Sequence, residues 1–403
     1  MKKVALIADD LTGAMDTGVE LSRRGVPTWV LLDPLATGRL ELNAAAVVAD
    51  TESRNVAKRE AAERIRVFVQ AFQKAQIPII YKKIDSTLRG NLGTELRVVR
   101  GALKPDLILV APALPGSGRT TVGGRHFVNG TPITENDLAK DPFAQVTSDR
   151  IADSLADLTV REVGLAEVRR GAEALAETFQ GCAGCEAVVA DAETDRDLEI
   201  LDEAVELCGR KVLRCGSAGL FQAMAARMHG AARKREWSAG QGPLLVLSGS
   251  PARRTKDQIR RAVEAGGLLL SLEDGEKAVD ALKAGRSVVV NGAGSSKAEL
   301  ARRFGKDRDG LLKASAGVQQ KLCCIAKEAL PHGAGLMIVG GDTALALCRS
   351  LSVTALAIEN ELEPMVPAGR LVGGDFDGLP VITKAGGLGS LDAIAEAIDR
   401  FRT

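Results

Sequence analysis

Aromatic residues are scarce. Phe, Trp and Tyr make up 3% of the 403 residues, with two Trp and one Tyr. That is poor material for stacking bases and argues against a single-stranded nucleic-acid platform. A charge of one sign is also missing: 53 Lys and Arg face 52 Asp and Glu, a formal net charge of +1. No global field favours nucleic acid or an anionic membrane surface, so a small molecule is the expected partner. No apolar run approaches the ~18 residues of a spanning helix. The apolar start runs straight into Asp9-Asp10, unlike a secretory leader. The seven Cys are odd in number and scattered, so free thiols in a reducing cytoplasm are expected. Cys182 and Cys185 form a CxxC, but zinc would need a second ligand pair and the chain has only three His.

What is abundant is glycine, 43 residues, which suits tight turns and close approach to a ligand. The length is too great for one ordinary core and suggests two domains. Apolar, β-rich runs alternate with amphipathic stretches: VALIA (4–8), PTWVLLD (27–33), AAAVVAD (44–50), IPIIYKKID (77–85), DLILVAP (106–112), EAVVAD (186–191) and KVLRCGS (211–217). Helices are expected over 13–25, over 56–75 and after Gly90. Buried runs separated by helices predict parallel strands joined by crossovers. The segment HGAARKREWSAGQGP (229–243) breaks the pattern and reads as an interdomain linker, its basic residues 233–235 as a solvated helix end. A second alternating block follows, with LLVLSGS (244–250), GLLLSLE (267–273), SVVVNGA (287–293), GLMIVGGDTA (335–344) and ALAIENE (355–361). The expected fold is two α/β domains with mostly parallel sheets, 1–230 and 243–403, and an active site in the cleft between them.

In open α/β sheets, ligands bind beyond the carboxyl ends of strands. Four such ends in the first block are rich in polar groups: Asp9-Asp10, residues 50–54 with Arg54, residues 82–90, and 111–121. Lys82, Lys83, Asp85, Ser86, Thr87 and Arg89 crowd the third. Arg or Lys can grip a carboxylate, and Asp can accept from sugar hydroxyls or act as a base, which suits a small polyhydroxy acid. Ser86 could equally cap the next helix, and Arg54 alone could be a surface ion pair. Residues 118–143 show little periodicity and read as a long polar loop near a ligand, with His126 buried or in a turn rather than catalytic.

The second block repeats one device three times: an apolar strand, a glycine-rich turn, then a helix. It occurs in LLVLSGSPARRT (244–255), LMIVGGDTALAL (336–347) and ITKAGGLGSLDAI (382–394). Such turns offer free N–H groups and a positive dipole end to phosphate. Three of them point to a nucleotide, although none matches the P-loop or dinucleotide fingerprints.

ADDLTGAMDTG (8–18), KKIDSTLRGNLGTEL (82–96) and GRTTVGGRHFVNGTPITE (118–135) resemble the sugar-binding domain of the four-carbon acid sugar kinases. SGSPARRT (248–255), GGDTA (340–344) and KAGGLGS (384–390) resemble that family's nucleotide-binding domain. The resemblance implies ATP-dependent phosphorylation of threonate, erythronate or 3-oxotetronate on a terminal hydroxyl. It implies substrate contacts from Asp10, Arg54 and residues 82–87, and ATP contacts from Ser248, Gly340, Gly341, Asp342, Thr343 and Gly386. Two departures stand out: Pro251 follows SGS, and the late motif reads AGGLG where the family usually has SGNFG.

On this reading Arg54, Lys82 or Lys83 holds the substrate carboxylate, Asp10 or Asp85 orients the attacking hydroxyl, and Asp342 meets Mg²⁺ directly or through water. Adjacent strand-end residues point opposite ways, so Asp10 is expected as the ligand and Asp9 as the brace of the following turn. The alternative is a non-catalytic sugar-acid-binding or sensor protein on the same fold. A phospho-accepting receiver is disfavoured, because the lysine falls on the wrong strand and the block is too long. No nucleic acid or membrane partner is expected; a homo-oligomer is left open.

Overall fold

The computed structural model describes residues 3–34, 44–136, 146–233, 237, 239–292 and 308–402. The chain groups into two compact units, Met1–Val26 with Thr37–Arg233, and Pro27–Ala36 with Lys234–Thr403.

The first unit is built on seven parallel strands. In chain order these are β1 (Val4–Ala8), β3 (Ala46–Asp50), β4 (Ile79–Lys83), β5 (Leu107–Ala111), β9 (Val160–Val163), β10 (Ala187–Ala190) and β11 (Val212–Gly216). Their spatial order is β3-β1-β4-β11-β5-β10-β9. Helices α1 (Leu11–Ser22), α2 (Lys58–Lys74), α3 (Leu92–Leu103), α4 (Leu165–Val168), α5 (Ala172–Gln180), α6 (Asp195–Leu207) and α7 (Ala218–His229) make the crossovers. α2 shows why the sequence folds this way: Ala61, Ile65, Phe68 and Phe72 recur at helical spacing and are buried, while the charged residues face out. α6 opens with a capping box between Thr194 and Asp197. The chain leaves β1 for β3 on one side and then β4 on the other, so the order reverses at β1. That reversal is where an open α/β sheet leaves a crevice for a ligand.

The second unit contains β2 (Thr28–Leu31), β12 (Leu244–Ser248), β13 (Leu268–Ser271), β14 (Val288–Asn291), β15 (Gly335–Val339), β16 (Ala355–Glu363), β17 (Val366–Val372) and β18 (Pro380–Lys384), ordered β13-β14-β12-β15-β18-β17-β16-β2. β13, β14, β12, β15 and β18 run parallel; β17, β16 and β2 continue the sheet antiparallel. The helices are α8 (Arg253–Glu264), α9 (Lys277–Lys283), α10 (Arg308–Ala329), α11 (Gly341–Ser350) and α12 (Ala393–Arg402). Here the order reverses at β12, flanked by β14 and β15.

Three sequence expectations change. The strand expected over 27–33 forms, but it pairs antiparallel with β16 in the second unit. In the segment read as a linker, Trp237 is buried in the second unit's core, where its ring meets Phe401 edge-on and its Nε1 donates to Glu359 at 2.9 Å. Of its basic residues only Arg233 lies among the described residues. The polar stretch from 118 is not a structureless loop. It contains a three-stranded antiparallel sheet of β6 (Arg119–Val122), β7 (Arg125–Val128) and β8 (Thr131–Pro132); residues 137–143 of it lie outside the described residues.

Candidate active site

At the first unit's reversal, the ends of β1, β3 and β4 meet around one guanidinium. Arg54 donates to both oxygens of Asp9, Nε to Oδ2 at 2.8 Å and Nη2 to Oδ1 at 2.9 Å. It also donates to both oxygens of Asp10, Nη1 to Oδ2 at 2.6 Å and Nη2 to Oδ1 at 2.7 Å. Asp85 Oδ1 lies 3.9 Å from its Nη2. Asp85 is held in turn by Thr87 Oγ1 and by Arg89, whose Nε donates at 2.6 Å. The expected division between Asp9 and Asp10 is therefore corrected. Both carboxylates meet the same cation, and it is Asp10 that braces the turn: its Oδ1 accepts from Gly13 N at 2.9 Å and caps α1. Asp9 is buried, whereas the Asp10 side chain keeps 26% exposure, so Asp10 alone of the pair offers a face to a ligand.

Burial alone would raise the Asp9 and Asp85 carboxyls, but the Arg54 charge outweighs it and holds both below the usual range, with Arg89 adding to the effect at Asp85. Asp50 behaves oppositely. It ends β3 beside Ala8, and burial, reinforced by Glu52 and Asp10, pushes its carboxyl well above the usual range. Its Oδ1 accepts from Glu52 N, and its buried Oδ2 has no partner among the described residues.

The two lysines of β4 part company as strand alternation requires. Lys82 is fully buried and pairs with Glu95 of α3 at 2.8 Å, with the Asp9 charge also acting on it. Lys83 donates to the Ile84 carbonyl at 3.0 Å and forms no ion pair among the described residues. A Cβ on Gly13 would stand 2.9 Å from its Nζ and 2.8 Å from Asp10 Oδ1, so the ammonium borders the same crevice as Asp10. Arg119 at the start of β6 likewise forms no ion pair among the described residues. It donates to the Ser117 carbonyl, and its buried Nε has no partner there.

Ser86 is not a helix cap; Asn91 occupies that position for α3. The Ser86 carbonyl instead accepts from His126 Nε2 at 2.9 Å, while His126 Nδ1 accepts from Thr121 Oγ1 at 3.1 Å. Burial drives the imidazole down to about 4, the opposing pull of the Ser86 bond and Asp85 notwithstanding. His126 is thus a neutral brace of the 85–89 loop. Asp191 fixes its hairpin by accepting from Gly123 N at 2.6 Å and Gly124 N at 2.9 Å.

In the second unit the three glycine turns converge, because β12, β15 and β18 are neighbours. A Cβ on Gly249 would collide with Thr343 Oγ1, and one on Gly386 with Ser250 Oγ. Glycine is required at both by this close approach. Ser248 Oγ is buried with no partner among the described residues, and the N–H groups of Gly386 and Gly387 donate to no described residue. Gly340 N donates to the Lys384 carbonyl at 2.8 Å, joining the second turn to the third. Gly341 opens α11, Thr343 is buried, and Asp342 is exposed in the first turn. Ser250, Thr255, Gln258 and Lys384, which sequence reading did not single out, knit the turns together. Thr255 Oγ1 donates to the Gly386 carbonyl at 2.6 Å and accepts from Ser250 Oγ at 3.1 Å, and Gln258 Nε2 donates to the Leu388 and Ser390 carbonyls. Thr255 lay within a quoted motif; Gln258 one turn later on α8 was the available signal.

Comparison with known proteins agrees with this division of chemistry. A family model described as a sugar-binding N-terminal domain matches residues 4–224, and one described as a nucleotide-binding C-terminal domain matches residues 245–394. The chain is 32% identical to a D-threonate kinase of Salmonella typhimurium, over 98% of this chain and 97% of that protein. It is 32% identical to a D-erythronate kinase of Heliobacterium modesticaldum, over 100% and 98%. Among solved structures, the Haemophilus influenzae protein HI1011 aligns with a TM-score of 0.77 at 25% identity, over 99% of this chain and 100% of that one. A Bordetella bronchiseptica protein, solved as a domain-swapped dimer with bound citrate, aligns with a TM-score of 0.51 at 31% identity, over 100% and 98%.

Proposed function

The chain belongs to the four-carbon acid sugar kinase family, and from that premise we propose that it transfers the terminal phosphoryl group of ATP to the terminal hydroxyl of a four-carbon sugar acid of the threonate, erythronate or 3-oxotetronate type. The observation that carries this reading over a non-catalytic binding protein is the cradle of the second unit. A buried Ser248 hydroxyl and the N–H groups of Gly386 and Gly387, none with a partner among the described residues, stand where three turns converge, an arrangement suited to phosphate oxygens.

The sugar acid is assigned to the first unit's reversal. Lys83 is a cation there outside any ion pair with a described carboxylate, its charge reaching Asp9 at longer range, so it takes the substrate carboxylate, with Arg119 the second cation outside any described ion pair. Asp10 is the half-buried acceptor for the attacking hydroxyl. Arg54, Asp85, Thr87 and Arg89 hold Asp10 and the 85–89 loop in place, Ser86 presents its side chain from that loop, and Lys82 supports from beneath through Glu95. ATP is assigned to Ser248, Gly340, Gly341, Thr343 and Gly386. Phosphoryl transfer asks mainly for positioning and charge neutralisation, and it requires the two ligands to meet.

Mg²⁺ bound with ATP draws most of its ligands from phosphate oxygens and water, so one carboxylate suffices. Asp342, exposed beside the glycine turn, is that carboxylate; among the described residues no group of three potential metal ligands stands together. When bound, the ion neutralises charge on the transferring group. Calorimetry with a non-hydrolysable ATP analogue in Mg²⁺ separates the two readings. The kinase binds it, whereas sugar-acid binding without any nucleotide binding contradicts the assignment.

A further inference from the structure

Lys384 ends β18 with its ammonium turned back into the following loop. Nζ donates to the carbonyls of Ala385 at 3.0 Å, Leu388 at 2.9 Å and Gly386 at 3.2 Å. An ammonium has three donors, so each is engaged by one loop. The residue is 3% exposed and forms no ion pair among the described residues. The charged groups that face it are Arg254 of α8 and Glu363 at the end of β16. A buried cation with no carboxylate in ion-pair contact is costly, and a chain keeps one where its hydrogen bonds organise something.

What it organises is the third glycine turn. Three carbonyls drawn inward to one ammonium leave the neighbouring N–H groups facing away from it, and those of Gly386 and Gly387 meet no acceptor among the described residues. Thr255 and Gln258 hold the same loop from α8, and Arg254 Nε donates to the Gly389 carbonyl at 2.7 Å. The loop therefore has its carbonyls tied, and while Leu388 N turns back to the Ala385 carbonyl, the N–H groups of Gly386 and Gly387 stay open among the described residues.

We propose that Lys384 is a positioning residue for the kinase reaction: it folds residues 385–388 so that the N–H groups of Gly386 and Gly387 face the phosphates of ATP, without touching the nucleotide itself. The inference rests on the assignment of ATP to the second unit. Burial, with Arg254 adding to it, lowers the Lys384 ammonium to about 8, so the clamp loosens within an accessible pH range.

The test compares the wild-type chain with Lys384→Met, measuring KM for ATP, KM for the sugar acid, kcat and melting temperature. The expected result is a KM for ATP raised about tenfold or more, the scale of a lost charged hydrogen-bond cluster, with KM for the sugar acid within about twofold. Between pH 7 and 9 the wild-type KM for ATP should rise as Lys384 loses its proton, and the variant's should stay level. A folded variant with unchanged KM for ATP overturns the inference. Should the variant fail to fold, a wild-type KM for ATP that is level from pH 7 to 9 overturns it. Wild-type ATP binding beside an unaffected variant sinks this inference alone; a wild-type chain that binds no ATP sinks the assignment beneath it as well.

Discussion

His126 shows what a single buried titratable group contributes. Its neutral ring donates through Nε2 to Ser86 and accepts through Nδ1 from Thr121. Held at about 4 against an ordinary value of 6.5, it stays unprotonated in the fold while the unfolded chain takes up a proton as pH falls through 6.5. The unfolded state binds the extra proton between those values, so stability is lost across pH 6.5 to 4, by up to roughly 3 kcal/mol for a shift of this size. Urea unfolding of the wild type and of His126→Gln between pH 7 and 4 should show a shallower loss for the variant, and parallel losses would contradict this account of the ring. At this scale the sequence was partly legible. It marked Asp10, Arg54 and Asp85 as belonging to one rim, and the structure brings them to one guanidinium. It did not show that a planar fork would satisfy two adjacent carboxylates at once, because the partners lie more than 40 residues apart. Strand alternation, applied to Asp9-Asp10, would have separated Lys82 from Lys83 as well, since only one of them can face α3 and Glu95.

α1 is the element on which the substrate site turns, because its cap is also the proposed ligand. Asp10 Oδ1 accepts from Gly13 N. Asparagine keeps that acceptor and loses the charge; alanine loses both. Asp10→Ala should therefore lose about 1 kcal/mol for the cap and both Arg54 bonds besides, while Asp10→Asn keeps the cap, loses the Arg54 Nη1 bond and should be destabilised less than the alanine variant. Both should lower kcat/KM for the sugar acid by about 100-fold or more, the range of a lost acid–base group. Denaturant melts and steady-state rates read the two effects separately. An Asn variant with wild-type kcat/KM would remove Asp10 from the chemistry. The buried parallel strands were readable because both their faces are apolar and glycine or acid punctuates their ends. β9 was not, since VREV sits at the sheet edge and is polar. The β6–β7 hairpin carried a signal in Gly123-Gly124, two residues with positive φ between TTV and RHF, but the surrounding Thr and Gly content hid it.

The whole molecule divides its chemistry between two switch points, one at β1 lined by carboxylates and cations and one at β12 lined by hydroxyls and N–H groups. That division was legible, since each strand end displayed its polar residues in the sequence. The path of the chain was not. β2 joins the second unit through a pairing with β16 more than 300 residues away, and Trp237 enters that unit's core from a stretch composed like a linker. Neither contact has a local signature, because both are decided by which sheet edge and which core the rest of the chain leaves open. The central claim is catalytic, and the most direct measurement is release of ADP, coupled to NADH oxidation, by the full chain with Mg²⁺, ATP and a panel of D- and L-threonate, D- and L-erythronate and 3-oxotetronate. Turnover with at least one of these acids, abolished by leaving out the acid, is the expected result. A folded chain that binds ATP and releases no ADP above background with any of them would contradict the account.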